Sequence, residues 1–490
     1  MIPAEQAETA ALLQALAGRA PIETHISAVF VGADTVWKLR KAVRLAFLDF
    51  TSLAERQRTA LRENELNAPH APGLYRDVVP VVRRTDGTLA LAQPGVPIDW
   101  VVRMARVPEA DFLDAIAARG GLDAPLLDAL GDAVAAYLTA APVVTEDEVA
   151  AQRKMTEGNL RSARAAGLPA DKLATWEQAM RAELARRADW LRRRAATGFV
   201  RRCHGDLHLG NLCLWQGRPV PFDAVEFDEA IATGDVAYDL AFLLMDLEHR
   251  AGRPAANRVL CRYVARTGDW ELVSGLPLFL AQKAMVRAHV EATRGRAAEA
   301  AAYLAMSLGY LHPAAPMVVA VGGLMGTGKT TLARTLAPEL GPAPGALVLR
   351  SDEFRKRRHG VAPEQRLPED AYAEAESRAV FAELHRAVAQ VAAAGHAAIA
   401  DATYLDAEHR RAVAAASGGV RFLGVWLTAP LDVLEARIAA RQRDASDATV
   451  AVLRRAAQSR PAVADWLTVD ARDATQALAI VRDALRRGIC

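Results

Sequence analysis

One octapeptide narrows the folds open to this chain more than any other feature: GLMGTGKT, residues 323–330. It satisfies GxxxxGK[ST] in full, follows the apolar run MVVAVGG (317–323) and opens a stretch of helical character. Gly323, Gly326 and Gly328 let successive backbone amides turn inward around phosphate oxygens, where a helix N-terminus adds a favourable field. Lys329 is the residue type that neutralises β and γ phosphates, and the Thr330 hydroxyl is the one that ligates Mg²⁺. Thr327 and Thr331 complete the loop as GLMGTGKTT. A glycine-rich turn arisen by chance is the competing reading, and it gives no reason for strand, motif and helix to stand in register.

The rest of the C-terminal third repeats that rhythm. ALVLRSD (346–352), HAAIADAT (396–403) and VRFLGVWL (420–427) are short apolar runs separated by helical stretches. Such alternation predicts an α/β domain with a parallel sheet covered by helices. Asp352 is expected to close the second strand and Asp401 the third, at the end of the sheet where ligands bind. Asp401 could hold the metal or its water, and Asp352 could accept a proton from an attacking hydroxyl; either could instead cap the next helix. Arg437 and Arg441 lie four apart on one helical face, as a phosphoryl clamp or as a solvated basic face. RKRRH (355–359) is likewise a nucleic-acid contact or a solvated face.

Two prolines in LGYLHPAAP (308–316) mark a boundary, giving expected domains of 1–312 and 317–490. At 490 residues the chain has length for several cores. Its 60 basic and 58 acidic residues leave a formal +2, so no global field for nucleic acid or anionic membrane is indicated. The four cysteines form neither a CxxC pair nor a disulfide framework. The N-terminus lacks the plan of a secretory signal, and no uncharged stretch is long enough to span a membrane. A cytoplasmic location is expected.

Before the boundary, strand-like segments and one charged helix (about 52–67) form a small α+β lobe ending near residue 105, with mostly helical sequence after it. CHGDLHLGNL (203–212) and PFDAVEFD (221–228) interrupt the helical part. Phosphoryl transfer needs a carboxylate near the acceptor hydroxyl, plus an amide oxygen and a second carboxylate on Mg²⁺. Asp206 fits the base, Asn211 the amide ligand and Asp223 the second metal contact. His204 and His208 read as hydrogen-bonding residues rather than metal ligands.

HGDxxxxN followed by a strand-borne Asp resembles the aminoglycoside phosphotransferase and choline kinase-like family, over residues 20–310. That resemblance implies a bilobal protein-kinase-like α+β fold and a strand lysine paired with a helix glutamate. Lys38, with Arg40 on the same strand face, and Glu63 (Glu65 as fallback) fill those places. Asp223-Ala224-Val225 stands where protein kinases have DFG, and no GxGxxG covers the phosphates. Asp235 and Asp239, in the helix that follows, are expected to brace the catalytic loop. Residues 317–490 resemble the small P-loop kinases that include zeta toxins, chloramphenicol phosphotransferase, gluconate kinase and polynucleotide kinases. By that likeness Asp352 is the substrate-activating acid, and Arg437 and Arg441 belong to a lid. The two resemblances together imply two Mg-ATP-dependent kinases acting on small polar hydroxyl compounds. The alternatives are a P-loop domain that is a regulatory ATPase or a nucleic-acid end kinase.

Overall fold

The computed structural model describes residues 1–45, 48–440, 445–458, 463 and 465–488. By contact density the chain divides into two compact units. The first comprises Met1–Ala133, Ala140–Glu146 and Ala195–Asp239; the second comprises Val134–Thr139, Asp147–Arg194 and Leu240–Cys490.

The first unit is built on an antiparallel sheet of six strands, in the order β1-β2-β3-β8-β6-β7. These are β1 (Ile22–Glu23), β2 (Ser27–Val31), β3 (Thr35–Arg40), β6 (Tyr75–Arg83), β7 (Leu89–Leu91) and β8 (Val96–Ala105). A small separate ribbon, β4 (Arg44–Leu45) with β5 (Leu48–Asp49), intervenes. Alternation in β2 and β3 sends Phe30 and Leu39 into a core with Leu13 of α1 (Ala7–Ala17), Val81 and Val101. Helix α2 (Leu53–Asn67) is stopped at its start by Ser52, whose hydroxyl accepts from the Glu55 amide at 3.2 Å. Ser52 and Glu55 have the spacing of a capping box. Ala60 of α2 joins Leu74, Tyr75, Val102 and Cys213 in a second core cluster. The unit's last segment supplies β9 (Val200–Arg202), the hairpin β10 (Leu212–Trp215)–β11 (Arg218–Pro221), and β12 (Thr233–Asp235), which pairs with β9.

Helices α3 (Leu113–Ala118) and α4 (Ala124–Ala140) follow the sheet in sequence. The helical part of the second unit contains α5 (Glu148–Ala165) and α6 (Ala170–Ala196). After the short α7 (Glu229–Ala232) come α8 (Val236–Ala251), α9 (Arg253–Thr267), α10 (Leu276–Thr293) and α11 (Ala297–Tyr310). Trp176 of α6, fully buried, donates to Ser307 Oγ of α11 at 2.8 Å, so even the largest core side chain here has its polar atom satisfied.

The second unit also carries a five-stranded parallel sheet in the order β14-β15-β13-β16-β17. Its strands are β13 (Met317–Gly323), β14 (Leu347–Arg350), β15 (Ala398–Asp401), β16 (Arg421–Thr428) and β17 (Leu467–Asp470). All seven residues of β13 are buried, as a strand covered on both faces requires. The covering helices are α12 (Lys329–Leu336), α13 (Ser351–Arg358), α14 (Glu374–Ala393), α15 (Ala407–Ala416), α16 (Leu431–Ala439), α17 (Val450–Ala457) and α18 (Ala474–Arg487). Strand β13 lies between β15 and β16, so its C-terminal loop sits where the strand order reverses, the crevice in which open α/β sheets bind ligands.

The outer edge of β14 is covered by α9. Asn257 Nδ2 donates to Ala346 O at 2.9 Å, and the Val348 amide donates to Cys261 Sγ at 3.4 Å. Side chains thus meet backbone groups that an open edge would leave exposed. Among the described residues, no helix is long and apolar enough to cross a membrane.

One expected boundary moves. Strand β14 ends at Arg350, and Asp352 lies in the first turn of α13 rather than closing the strand. Asp352 and Glu353 are both acids in that turn, where the helix N-terminus favours negative charge, and this starts the helix two residues early. The short edge strand β17 was not anticipated: its four residues carry too little pattern.

Candidate functional site

The first set of motif residues converges within the first unit. Lys38 stands on β3, opposite Val29 on one neighbour and Val102 on the other. Glu63 points inward from α2 and is fully buried. Lys38 Nζ donates to Glu63 Oε1 at 2.7 Å and also to Asp223 Oδ1. Glu65, the fallback, pairs instead with Arg62 at 2.9 Å. Burial alone would lower the Lys38 pKa, but Asp223 and Glu63 outweigh it and raise the value. For Asp223 burial acts upward, and the Lys38 ammonium overcomes it and holds the carboxyl below its usual range. Both groups are charged at neutral pH.

Asp223 adopts a left-handed backbone (φ 62°), which β-branched residues avoid and Asp tolerates. Three contacts hold that turn. The Asp223 amide donates to the Tyr75 hydroxyl at 3.1 Å, the Ala224 amide to Asn67 Oδ1 at 3.0 Å, and the Val225 amide to His204 O at 2.9 Å.

Asp206 and Asn211 meet in the loop between β9 and β10. Asn211 Nδ2 donates to Asp206 O and Asp206 Oδ2, both at 2.9 Å. The Phe222 amide donates to Asn211 O at 3.1 Å, which ties this loop to the segment carrying Asp223. His204 is fully buried, and burial lowers its pKa, so the ring is neutral. Its Nε2 lies 2.9 Å from Phe222 O and its Nδ1 accepts from the Asp206 amide at 3.3 Å, which assigns the proton to Nε2. His208 Nδ1 accepts from the Gly210 amide at 3.0 Å. Asp239 accepts from the His204 amide at 2.8 Å and the Gly205 amide at 3.1 Å, the bracing expected of it.

A second ion network lies behind Lys38, and half of it was not anticipated. Arg40 Nη2 donates to Glu63 Oε2 at 2.5 Å and pairs with Glu226 Oε1, while Nη1 donates to Ser27 Oγ at 2.8 Å. Glu226 is 4% exposed. An acid three residues past Asp223 in an otherwise apolar stretch was the available signal.

The second set of motif residues converges in the second unit. Gly323, Gly326 and Gly328 have φ of 135°, 84° and 88°. A Cβ on Gly323 would stand 2.4 Å from Leu427 O, and one on Gly326 would stand 2.9 Å from Leu434 O, so the loop's path excludes side chains there. Helix α12 begins at Lys329, whose Nζ lies 3.0 Å from both Gly323 O and Leu324 O. Thr327 is buried and donates to Leu324 O at 2.8 Å, whereas Thr331 is exposed on α12. Thr330 Oγ1 donates to Asp401 Oδ2 at 2.6 Å, and Arg350 Nε is 3.4 Å from the same oxygen. In the sheet register Arg350 pairs with Asp401, so Asp352, two residues on, lies at the same end of the sheet.

Arg437 donates to Ala471 O at 2.9 Å and Arg472 O at 2.9 Å, and reaches Gly326 O at 3.5 Å. Its guanidinium fastens the loop after β17 to the phosphate loop. Arg441 lies outside the described residues. Every member of the basic run 355–359 meets an acid or a ring. Arg355 stacks 4.6 Å over Tyr372, and Lys356 pairs with Asp447 at 2.5 Å. Arg357 pairs with Glu383 at 3.0 Å, Arg358 with Glu376 at 2.7 Å, and His359 lies 3.6 Å from Glu376. The run is partly buried, and its charge is largely met within the fold.

The residues present fit the groups that the motifs imply. In the first site the Asp223 carboxylate, 41% exposed, already takes a cation, the Lys38 ammonium. Asn211 spends its amide nitrogen on Asp206, which leaves its amide oxygen for a metal. In the second, a loop of left-handed glycines with open space at Gly328 fits a phosphate chain, and Thr330 beside Asp401 fits a hard cation.

Residues 318–463 match the family model AAA_33, an AAA domain. The uncharacterized protein Rv2004c of Mycobacterium tuberculosis (strain ATCC 25618 / H37Rv) is 30% identical over 468 residues, spanning 91% of this chain and 90% of its own. The uncharacterized protein Mb2027c of Mycobacterium bovis matches with the same figures. Among solved structures, a gluconokinase from Sinorhizobium meliloti 1021 aligns at 17% identity with 36% of this chain and 98% of its own, at a TM-score of 0.26. A choline/ethanolamine kinase family protein from Mesorhizobium loti aligns at 13% identity with 63% of this chain and 99% of its own, at a TM-score of 0.36.

Proposed function

The chain belongs to the family of the mycobacterial protein Rv2004c, with a likeness that covers 91% of its length, and on that premise we propose a tandem ATP-dependent phosphotransferase. Its two kinase domains are 1–312 and 317–490, each binding Mg-ATP and passing the γ-phosphoryl group to a hydroxyl of a small polar molecule. Sugar, aminoglycoside-like and nucleoside-like compounds have the required chemistry. The observation that carries this reading is the pair of complete, separately held residue sets: Lys38, Glu63, Asp206, Asn211 and Asp223 in one, the glycine loop with Lys329, Thr330 and Asp401 in the other.

In the first domain Lys38, steadied by Glu63, grips nucleotide phosphate, while Asn211 and Asp223 hold Mg²⁺. Asp206 takes the proton of the acceptor hydroxyl as its oxygen bonds to the γ phosphorus and the bond to the ADP oxygen breaks. In the second, the loop amides and Lys329 hold the phosphates, and Thr330 and Asp401 hold the metal. Asp352 accepts the hydroxyl proton, and Arg437, through Gly326 O and the loop after β17, steadies the phosphate loop. In both sites the metal supplies neutralisation of the charge that gathers on the transferring group.

A nucleic-acid acceptor for the second domain loses its motive, because the basic run that suggested it is spent on Glu376, Glu383, Asp447 and Tyr372. Cys203 and Cys213 are buried and form no disulfide, consistent with the reducing cytoplasm. A metabolite pool incubated with labelled ATP and the wild type, Asp206→Asn or Lys329→Ala protein tests the assignment. Each variant is expected to lose a different labelled product. Unchanged products from both variants would overturn it.

A further inference from the structure

Glu63 is held from two sides. Its Oε1 takes Lys38 at 2.7 Å and its Oε2 takes Arg40 at 2.5 Å. Lys38 has a second engagement, with Asp223, and it is one the proposed reaction must break: the lysine has to turn to phosphate as Asp223 turns to metal. Arg40 has no such conflict. It is 2% exposed, and its guanidinium bonds to Ser27, Glu63 and Glu226. Glu226 follows Asp223 by three residues in one short segment, so the Arg40 bridge runs from α2 to the metal segment without passing through the lysine. Buried ion pairs seldom add net stability over an apolar core, whereas they do select one arrangement.

We propose that Arg40 and Glu226 are positioning residues that keep Glu63 and the Asp223 segment in fixed relation while Lys38 is exchanged from Asp223 to nucleotide phosphate. This rests on the reading of Lys38 and Asp223 as nucleotide- and metal-binding groups. Arg40 then acts on nucleotide binding chiefly through the placement of the residues it bonds. Its effect is therefore confined to the metal-dependent part of that binding, where Asp223 must already stand in place.

The test uses the full chain carrying Lys329→Ala, so that the second site is silent, and a fluorescent ATP analogue titrated with and without Mg²⁺. At pH 8, where Glu226 is ionised, Arg40→Met and Glu226→Gln are each expected to weaken Mg²⁺-dependent binding about tenfold. Binding without Mg²⁺ should change less than about twofold. Because the two residues act as one bridge, the double variant should be no worse than either single variant. Arg40→Lys, which can still touch both acids, should recover most of the loss. Glu226→Gln keeps the side-chain shape, so the test stands even if Arg40→Met does not fold. Wild-type affinity in Glu226→Gln, or additive losses in the double variant, would overturn the proposal. Asp223→Asn separates the two levels: if it leaves Mg²⁺-dependent binding intact, the site reading itself fails.

Discussion

The five-membered ion cluster around Glu63 sets the character of the first site at the level of single residues. Lys38 and Arg40 face Glu63, Asp223 and Glu226, two cations against three carboxylates, buried except at Asp223. The surplus falls on Glu226. Burial pushes its carboxyl up to about 7, with Glu63 and Asp223 adding to the shift and Arg40 and Lys38 opposing it. Between the ordinary glutamate value of 4.5 and about 7, the folded chain therefore holds a proton that the unfolded chain has released. Stability from this group is full below 4.5 and is lost as pH rises through 7. Glutamine has no such loss, so the melting temperature of Glu226→Gln should match the wild type near pH 4, exceed it increasingly up to about pH 7 and keep a constant margin above that. A difference that does not change with pH would contradict the assignment. The motif members of this cluster were legible in the sequence, because Lys, Asp and the HGD loop recur in fixed order. Glu226 was not, since a buried carboxylate announces itself only through a partner 186 positions away in the chain, and nothing in VEFD names that partner.

At the scale of elements, the glycine loop between β13 and α12 was the most readable part of the chain, because its residue types are dictated by backbone geometry. Gly323 has φ 135° and only 2.4 Å between a would-be Cβ and Leu427 O, whereas Gly328 has φ 88° and open space around it. Gly323→Ala must therefore displace β16 as well as strain the backbone, while Gly328→Ala pays strain of about 1–2 kcal/mol alone. In a Lys38→Met background, ATP-analogue binding should fall well over tenfold for Gly323→Ala and roughly tenfold for Gly328→Ala. The reverse order would show that the loop follows another path. Helix starts were less readable. Asp352 was expected to end a strand and instead opens α13, because a local preference of acids for a helix N-terminus won over the apolar run before it. Arg437 kept its predicted helix, yet its guanidinium serves backbone carbonyls of the loop after β17, a tertiary choice that the spacing of two arginines does not encode.

For the whole molecule, the packing on the parallel sheet does not end at the proline-marked boundary. Within the second unit, α9 covers β14, Arg262 pairs with Glu364 at 2.7 Å, and Trp270 stacks on Phe354 at 5.5 Å while donating to Gln390 at 2.7 Å. These residues belong to no motif, and their pairing required the fold. What the sequence did convey at this scale was two motif sets, each held within one compact unit. The central claim is therefore a count. Calorimetric titration of the wild-type chain with a nonhydrolysable ATP analogue and Mg²⁺ should give two sites per chain. Lys38→Met and Lys329→Ala should each retain one site and the double variant none. A single site in the wild type, or two single variants that lose the same one, would contradict the account.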